Sequence, residues 1–349
     1  MSTVYILGAG ASASYDKSYS GMQCPSAKNF FTVACRVIHS DPGENFQKYC
    51  DIIKFLEEYF NLPLQRLEDA GIDMQDVLTF LDLELEYSDS ISEIELLRKA
   101  KREFMELLTA TFSRVLKGPP CPYHSALASF LHPGDTVISF NYDLLMDTAL
   151  CTSALWNPRT GYGFRAQAEE NAVGIDPDRS QVLLLKPHGS FNWVTCRACA
   201  RVYVMSPSMF DDPDNWEYST SVEFEPESHD LERLIIPPSV KKNVHGKIMQ
   251  QIWTKAHDAL KKALQIVIIG YSLPAADFMA KRLLYRSLSH NINLNKLEVV
   301  DRNNDGLSSP LVKKYSNMLY NSKKPVKLVC EKKSLREYVQ LSKTDAKKL

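Results

Sequence analysis

A Rossmann-like α/β fold is predicted, with a mostly parallel sheet, a helical insertion and a small irregular lobe. Three features of the sequence predict it. Short apolar, β-branched runs alternate with stretches of helical periodicity. Glycine or polar residues follow several of these runs at once, and a long helical segment separates the first run from the second.

The elements follow in order. Residues 4–7 are a short apolar run ending at Gly8 and Gly10, the pattern of a buried parallel strand that feeds a tight turn. From Phe46 the apolar residues recur at helical spacing: Phe46, Tyr49, Ile53, Leu56 and Phe60, then Met74, Val77, Leu78, Leu81 and Leu85, then Leu97, Phe104, Leu108, Phe112 and Leu116. Gly118, Pro119 and Pro120 close this block, and a short helix is expected near residues 124–130. Further strands are predicted at 136–140, 182–186, 266–269, 297–300 and 326–330, with helices at 144–150, 248–264 and 278–288 between several of them. Between about 193 and 238, Pro207, Pro213 and an acidic run interrupt any period, so this segment is read as an irregular lobe or lid within the α/β domain. The division is then residues 1–44 and 118–303 for the α/β domain, 45–117 for the inserted helical block, and 304–349 for a C-terminal strand and basic helical tail.

At 349 residues, with 44% hydrophobic and 24% charged residues, the chain has the proportions of an ordinary globular protein. A formal charge of −1 gives no global pull toward nucleic acid; residues 311–349, however, hold eleven Lys or Arg against three acids. A polyanion or an acidic partner could dock there, and a solvated face explains the charge more simply. The start, MSTVYILGAGASAS, has no basic segment followed by an apolar one, so no signal peptide is expected, and no run is long enough to span a membrane. Eight cysteines, mostly isolated in apolar surroundings, read as reduced thiols of a cytoplasmic protein, or a nuclear one in a eukaryote. Cys196 and Cys199 have zinc-knuckle spacing, but a closed site needs four ligands and only His229 is a further candidate nearby; no complete zinc site is expected.

Four segments place glycine or polar residues where open parallel sheets bind ligands, just past a strand. In the first, Gly8, Ala9, Gly10 and Ser12 suit a phosphate turn, with Gly10 letting backbone approach a pyrophosphate; the third glycine and the distant acid of the ordinary dinucleotide fingerprint are missing. In the second, Asn141 offers a donor and an acceptor to a ribose hydroxyl or water, and Asp143 can contact a pyridinium or cap the next helix. In the third, His188 stands alone among eight histidines in following a strand and preceding a glycine, as a general base would; a buried, hydrogen-bonded histidine is the alternative. In the fourth, Gly270 permits close approach, Ser272 supplies a hydroxyl, and Pro274 with Asp277 starts a helix; Asp301 or Asn303, ending another strand, could hold a second ribose or an adenine edge.

In this order the segments SFNYDLLMDTA, LLKPHGSFNW and IIGYSLPAADF, after ILGAGAS and with IIPPSVKK at 235–242, resemble the sirtuin-like family, in its microbial branch. The resemblance runs from residue 4 to about 303, leaving the helical insertion unassigned. It implies an NAD-binding catalytic domain that breaks the nicotinamide–ribose bond, with NAD+ as substrate. Asn141 would match the catalytic asparagine, His188 the base, Asp143 the nicotinamide-side aspartate, and Gly8, Gly10 and Ser12 the phosphate loop, with Ser272 and Asp301 beside the riboses. Deacetylating sirtuins carry a glutamine before the asparagine and two CxxC pairs, whereas this chain has Phe140 and one pair. That departure favours NAD+ hydrolysis to nicotinamide and ADP-ribose, as in antiviral NAD-depleting relatives, over protein deacylation or a non-catalytic NAD or ADP-ribose sensor. Regulation would come from self-assembly into a homo-oligomer or from a protein partner, for which the apolar-faced helical block is suited.

Overall fold

The computed structural model describes residues 2–41, 43–69, 71–165, 180–196, 202–205, 231–236, 246–319 and 325–346. Each of the six predicted strand runs forms a strand of one parallel sheet. These are β1 (Thr3–Leu7), β2 (Thr136–Ser139), β3 (Leu183–Leu185), β7 (Gln265–Ile269), β8 (Lys296–Val300) and β9 (Lys327–Glu331), in the order β3-β2-β1-β7-β8-β9. Parallel strands cannot be joined by hairpins, so each crossover needs a covering element. The helices of the crossovers include the single turn α1 (Ala9–Ser12), α6 (Pro122–Ala128), α7 (Leu145–Cys151), α8 (Gly246–Lys262), α9 (Phe278–Ser289) and α10 (Pro310–Ser316), and α11 (Leu335–Ala346) follows β9. Ile6, Ile138, Leu184, Ile266 and Leu297 are fully buried in one core, which is why these strands read as near-continuous apolar runs.

The strand order reverses at β1. The chain builds outward from β1 through β2 to β3 on one side, then returns to place β7, β8 and β9 on the other. Register keeps the strand ends level. Leu7 pairs with Ser139 and Ile269, and Ile269 with Val300, so the loops after β1, β2, β7 and β8 leave the sheet at one height. An open α/β sheet binds ligands in the crevice at such a switch point.

The helical insertion comprises α3 (Cys50–Phe60), α4 (Met74–Tyr87) and α5 (Ile91–Leu116), preceded by a short 3-10 turn at Phe46–Tyr49. Its core reaches further back along the chain than the periodicity beginning at Phe46. α2 (Phe30–Ser40) joins it through Phe30 and Phe31, whose rings lie 5.8 and 5.6 Å from that of Phe104. Tyr142 and Phe191 belong to the same cluster and fasten the block to the α/β domain. Ser90 starts α5 by accepting the Glu93 amide, and Asp73 starts α4 by accepting that of Gln75.

The segment after His188 is more regular than its sequence suggests. β4 (Gly189–Cys196) pairs antiparallel with β5 (Val202–Val204) and with β6 (Leu231–Ile235), forming a three-stranded sheet. β5 has only three residues, and Phe191, Asn192 and Trp193 of β4 are all buried, so no alternation announces the strands. Gly189 sits at φ +81°, and a Cβ there would lie 1.9 Å from the Leu234 carbonyl, so glycine is required where β4 meets β6. The rest of the expected lobe, with Cys199, His229 and most of the 235–242 segment, lies outside the described residues. Among the described residues no helix is long and apolar enough to cross a membrane.

Candidate functional site

A cleft of about 800 Å³ opens above the switch point. The loop after β1 gives it Gly8, Ala9, Gly10 and Ser12; the loop after β2 gives Phe140, Asn141, Tyr142 and Asp143. His188, Gly270, Ser272, Asp277, Asp301 and Asn303 complete the strand-end side, so the residues named from the four segments share one cleft. The opposite side comes from the helical insertion and the loop before α2: Lys28, Asp73, Gln75, Asp76 and Phe112 line it.

The glycines perform a different task from the one their motif suggests. A Cβ on Gly8 would lie 2.6 Å from the Gly270 carbonyl, one on Gly10 would lie 2.7 Å from Gly270 Cα, and one on Gly270 would lie 2.5 Å from the Ala11 nitrogen. The loops after β1 and β7 are therefore interlocked backbone against backbone. The Gly8 amide donates to the Ile269 carbonyl (3.1 Å) and the Gly10 amide to the Gly270 carbonyl (2.9 Å), so these two groups hold the loops together and do not point at a phosphate. Gly270 has φ +61°, which glycine adopts without cost. Leu273 also has positive φ (51°), strained for a branched side chain. Its loop is held by the Tyr315 hydroxyl, which donates to the Tyr271 carbonyl at 2.7 Å, and by Lys314, whose Nζ lies 3.5 Å from the Leu273 carbonyl.

Asn141, Ser12 and Asp143 form a directed chain. Asn141 Nδ2 donates to the Gly8 carbonyl (2.9 Å) and to Ser12 Oγ (2.8 Å), and Ser12 Oγ donates to Asp143 Oδ2 (2.6 Å). Asp143 Oδ1 accepts the Leu145 amide (3.1 Å), so the carboxylate also starts α7. A carboxamide has two N–H donors, and both are engaged; Oδ1 is what Asn141 can offer a ligand. The buried Ser12 hydroxyl links the carboxamide to the carboxylate.

Behind this chain lies a buried network that the sequence reading did not assign. Lys186, 0% exposed, places Nζ 2.7 Å from the Asp143 carbonyl, 2.7 Å from Ser190 Oγ and 3.0 Å from Asp147 Oδ2. Ser190 Oγ donates to Asn192 Oδ1, Asn192 Nδ2 to the Tyr162 hydroxyl, and Tyr162 to Asp147 Oδ1. Burial pushes the Asp147 carboxyl up from its ordinary range, opposed by the Lys186 ammonium. The lysine, serine and asparagine of LLKPHGSFNW thus fix the floor on which His188 stands.

His188 is 3% exposed. Phe140 (5.0 Å between ring centres), Tyr142 (6.2 Å) and Trp253 of α8 (6.4 Å) surround its imidazole. Nε2 lies 3.1 Å from Asp277 Oδ2, an ion-pair distance rather than an aligned hydrogen bond. Asp277 also accepts the Tyr271 hydroxyl at 2.7 Å on Oδ2 and the Ala280 amide at 3.1 Å on Oδ1. Sequence reasoning gave Asp277 only a helix start; a lone carboxylate eight residues past a strand carries no local sign of the histidine it meets. Burial, and then the Asp277 charge, push the Tyr142 and Tyr271 phenols well above their ordinary value, so both stay protonated near neutrality. Burial, and then Asp143, push the thiol of Cys24, which also lines the cleft, well up. Among the described residues no three His, Cys, Asp or Glu side chains converge on a metal position.

Fold and site together define an open parallel α/β protein with a cleft at its switch point, where such sheets bind ligands. No protein-family model matches the chain, and no curated protein matches it. Solved structures of Sir2 proteins are similar to it over almost its whole length. A complex described as Sir2, p53 peptide and NAD+ has 14% identity and a TM-score of 0.47, covering 100% of this chain and 94% of its own. A structure described as the basis for the mechanism and regulation of Sir2 enzymes has 16% identity and a TM-score of 0.45, covering 99% and 92%. A complex of a Sir2 homolog with NAD has 12% identity and a TM-score of 0.43, covering 99% and 89%. At this identity and overlap, the likeness decides neither family nor chemistry.

Proposed function

We propose that this protein binds NAD+ in the switch-point cleft and breaks its nicotinamide–ribose bond. One observation carries the reading. A buried imidazole and a carboxamide with only its acceptor oxygen to offer, tied through Ser12 to Asp143, line the same cleft at level strand ends. Asn141 Oδ1 can accept a hydrogen bond from a ribose hydroxyl or from water, and His188 can take the proton of an attacking hydroxyl. Nicotinamide departs as a neutral molecule from a pyridinium, so the chemistry needs a base and a positioned nucleophile rather than a general acid. Asp143 would face the nicotinamide side, and Asp301 with Asn303 would take ribose hydroxyls. Because the Gly8 and Gly10 amides are engaged, the pyrophosphate would lie under Ala9 and between Lys28 and Lys314, the lysines that line the cleft among the described residues. The family resemblance of the four motifs supports the same substrate.

With water as acceptor the products are nicotinamide and ADP-ribose, the activity of an NAD-depleting defence enzyme held in check by assembly or by a partner. A second reading, NAD+-dependent deacylation of a protein, is favoured by the extent of the cleft. It continues past the strand ends to α4 and α5, which leaves a wall for a second substrate.

Purified protein incubated with NAD+, with and without an acyl-lysine peptide, separates these readings through the nicotinamide released. Wild type is expected to release it, and His188→Ala and Asn141→Ala to lower the rate by about 10²- to 10⁴-fold. Undiminished turnover in both variants overturns the assignment of roles. Release that depends on the peptide moves the reading to deacylation, and NAD+ binding with no release under either condition makes the protein a sensor.

A further inference from the structure

We infer that Lys186 is the positioning residue that fixes Asn141 and His188 relative to each other: its buried ammonium ties the loop after β2 to the turn that carries the histidine. The inference rests on the reading of Asn141 and His188 as the reacting pair and adds the residue that holds their two segments in place.

Lys186 follows β3 directly and precedes His188 by two residues. An ammonium carries three hydrogens, and three oxygens lie within 3.0 Å of Nζ, each from a different element. The Asp143 carbonyl (2.7 Å) belongs to the loop after β2, Ser190 Oγ (2.7 Å) to β4, and Asp147 Oδ2 (3.0 Å) to α7. The Tyr142 carbonyl lies at 3.5 Å from the same Nζ and accepts the Phe191 amide at 3.0 Å. Two successive carbonyls just past Asn141 are therefore held from both sides of His188, by Lys186 before it and by Phe191 after it. The histidine's own main chain is bracketed as well. The Gly189 amide donates to the Lys186 carbonyl (3.0 Å), and the Ile236 amide donates to the His188 carbonyl (2.8 Å). Lys186 does not line the cleft, so it acts on a substrate only through these two segments.

Stability alone does not call for this arrangement. Lys186 and Asp147 are both buried, and a buried ion pair is often no more stabilising than apolar side chains of similar volume. An apolar pair would fill the same space, but it could not donate to the Asp143 carbonyl or to Ser190 Oγ. Asp147 answers the charge, while the carbonyl and the hydroxyl are what the charge is there to hold. Asn141 is fixed at its other end by the Gly8 carbonyl and Ser12 Oγ, so the ammonium supplies the tie on the side toward His188. A shift of about 1 Å between reacting groups can cost about 10²-fold in rate, which gives such a tie a direct effect on turnover.

The test compares Asp147→Asn with the double variant Asp147→Asn, Lys186→Met, two proteins that differ only in the ammonium. The single variant keeps a buried cation without its counter-charge and the double variant removes that cation, so the double variant should be at least as stable in urea. Turnover is expected to run the other way. At a temperature where both are folded, kcat for nicotinamide release should be about 10- to 100-fold lower in the double variant, with KM changed less than about threefold. Hydrogen exchange followed by mass spectrometry should be roughly tenfold faster in the double variant over residues 140–146 and unchanged over β8 and β9. Equal kcat in the two variants, or faster exchange spread evenly over the sheet, would reduce Lys186 to a structural residue. If the double variant does not fold, Asp147→Asn decides against wild type: with the ammonium in place, exchange over 140–146 should stay unchanged while the unfolding midpoint drops, and a rise there overturns the proposal. The exchange comparison uses no NAD+, so a wild type that releases no nicotinamide overturns the proposed function and leaves the tie to be judged on exchange.

Discussion

The two walls of the cleft are built by different means. The sheet side is backbone against backbone: Gly8, Gly10 and Gly270 interlock with no room for a methyl group, and behind them Lys186, Asp147, Ser190, Asn192 and Tyr162 form a closed polar network. The helical side is held by ring packing among Phe30, Phe31, Phe104 and Phe112, and it presents the N-terminal turn of α4 with Asp73, Gln75 and Asp76. Reacting groups need fixed geometry, and the proposed ones, Asn141 and His188, lie on the sheet side. The wall that packs through side chains is the one on which a substrate's outer parts can be selected without disturbing the chemistry.

Four substitutions would sharpen this contrast or break it. The largest effect on stability is expected from Lys186→Met, which leaves Asp147 buried without its cation and should cost about 3–5 kcal/mol in urea unfolding. A loss under about 1 kcal/mol would mean that the network does not hold the sheet side. Next comes acid. Burial holds the His124 imidazole down to about 4, with Asp143 opposing. In the unfolded chain a histidine protonates near 6.5, so between that pH and 4 the unfolded state binds the extra proton. The stabilisation is therefore complete above about pH 6.5 and is lost as pH falls, by about 3 kcal/mol at most. Unfolding curves across this window should flatten in His124→Gln, and an equally steep dependence in that variant would assign the acid sensitivity elsewhere.

Gly10→Ala follows, at about 1–3 kcal/mol from overpacking against Gly270, with NAD+ cleavage falling in parallel because the shift reaches Ala9 and Ser12. Full activity in a stable Gly10→Ala protein would show that the interlock is not needed for the site. The smallest effect is expected from Asp73→Ala on the helical side. Loss of the bond to the Gln75 amide should cost about 1 kcal/mol, with nicotinamide release changed less than threefold. If that variant lost turnover as completely as His188→Ala, the helical wall would belong to the chemistry and the division of labour would fail.

Much of this was legible beforehand. The sheet strands were readable because a strand buried on both faces must be apolar throughout, and the runs at 4–7, 136–140 and 266–269 declare that locally. The four loop segments stood out because each places glycine and polar residues directly after such a run, where open parallel sheets bind ligands. β4, β5 and β6 were missed because β5 is too short to alternate and β4 is buried on both faces, so the antiparallel signature is absent. Residues 30–40 fall within the 1–44 part of the α/β division, since nothing local shows that they form a helix whose Phe30 and Phe31 pack on Phe104.

What the sequence determined by itself was the strands of the parallel sheet and the chemistry available at their ends, because burial pattern and turn composition act over a few residues. Tertiary structure alone decided how those ends are used. Register across β2, β1, β7 and β8 brought the loops level, the interlock turned apparent phosphate glycines toward each other, and the fold carried Asp277 to His188 across 89 positions of chain. Each is a contact between segments far apart in sequence. Its energy depends on the shape of both surfaces at once, and no single stretch of residues records that.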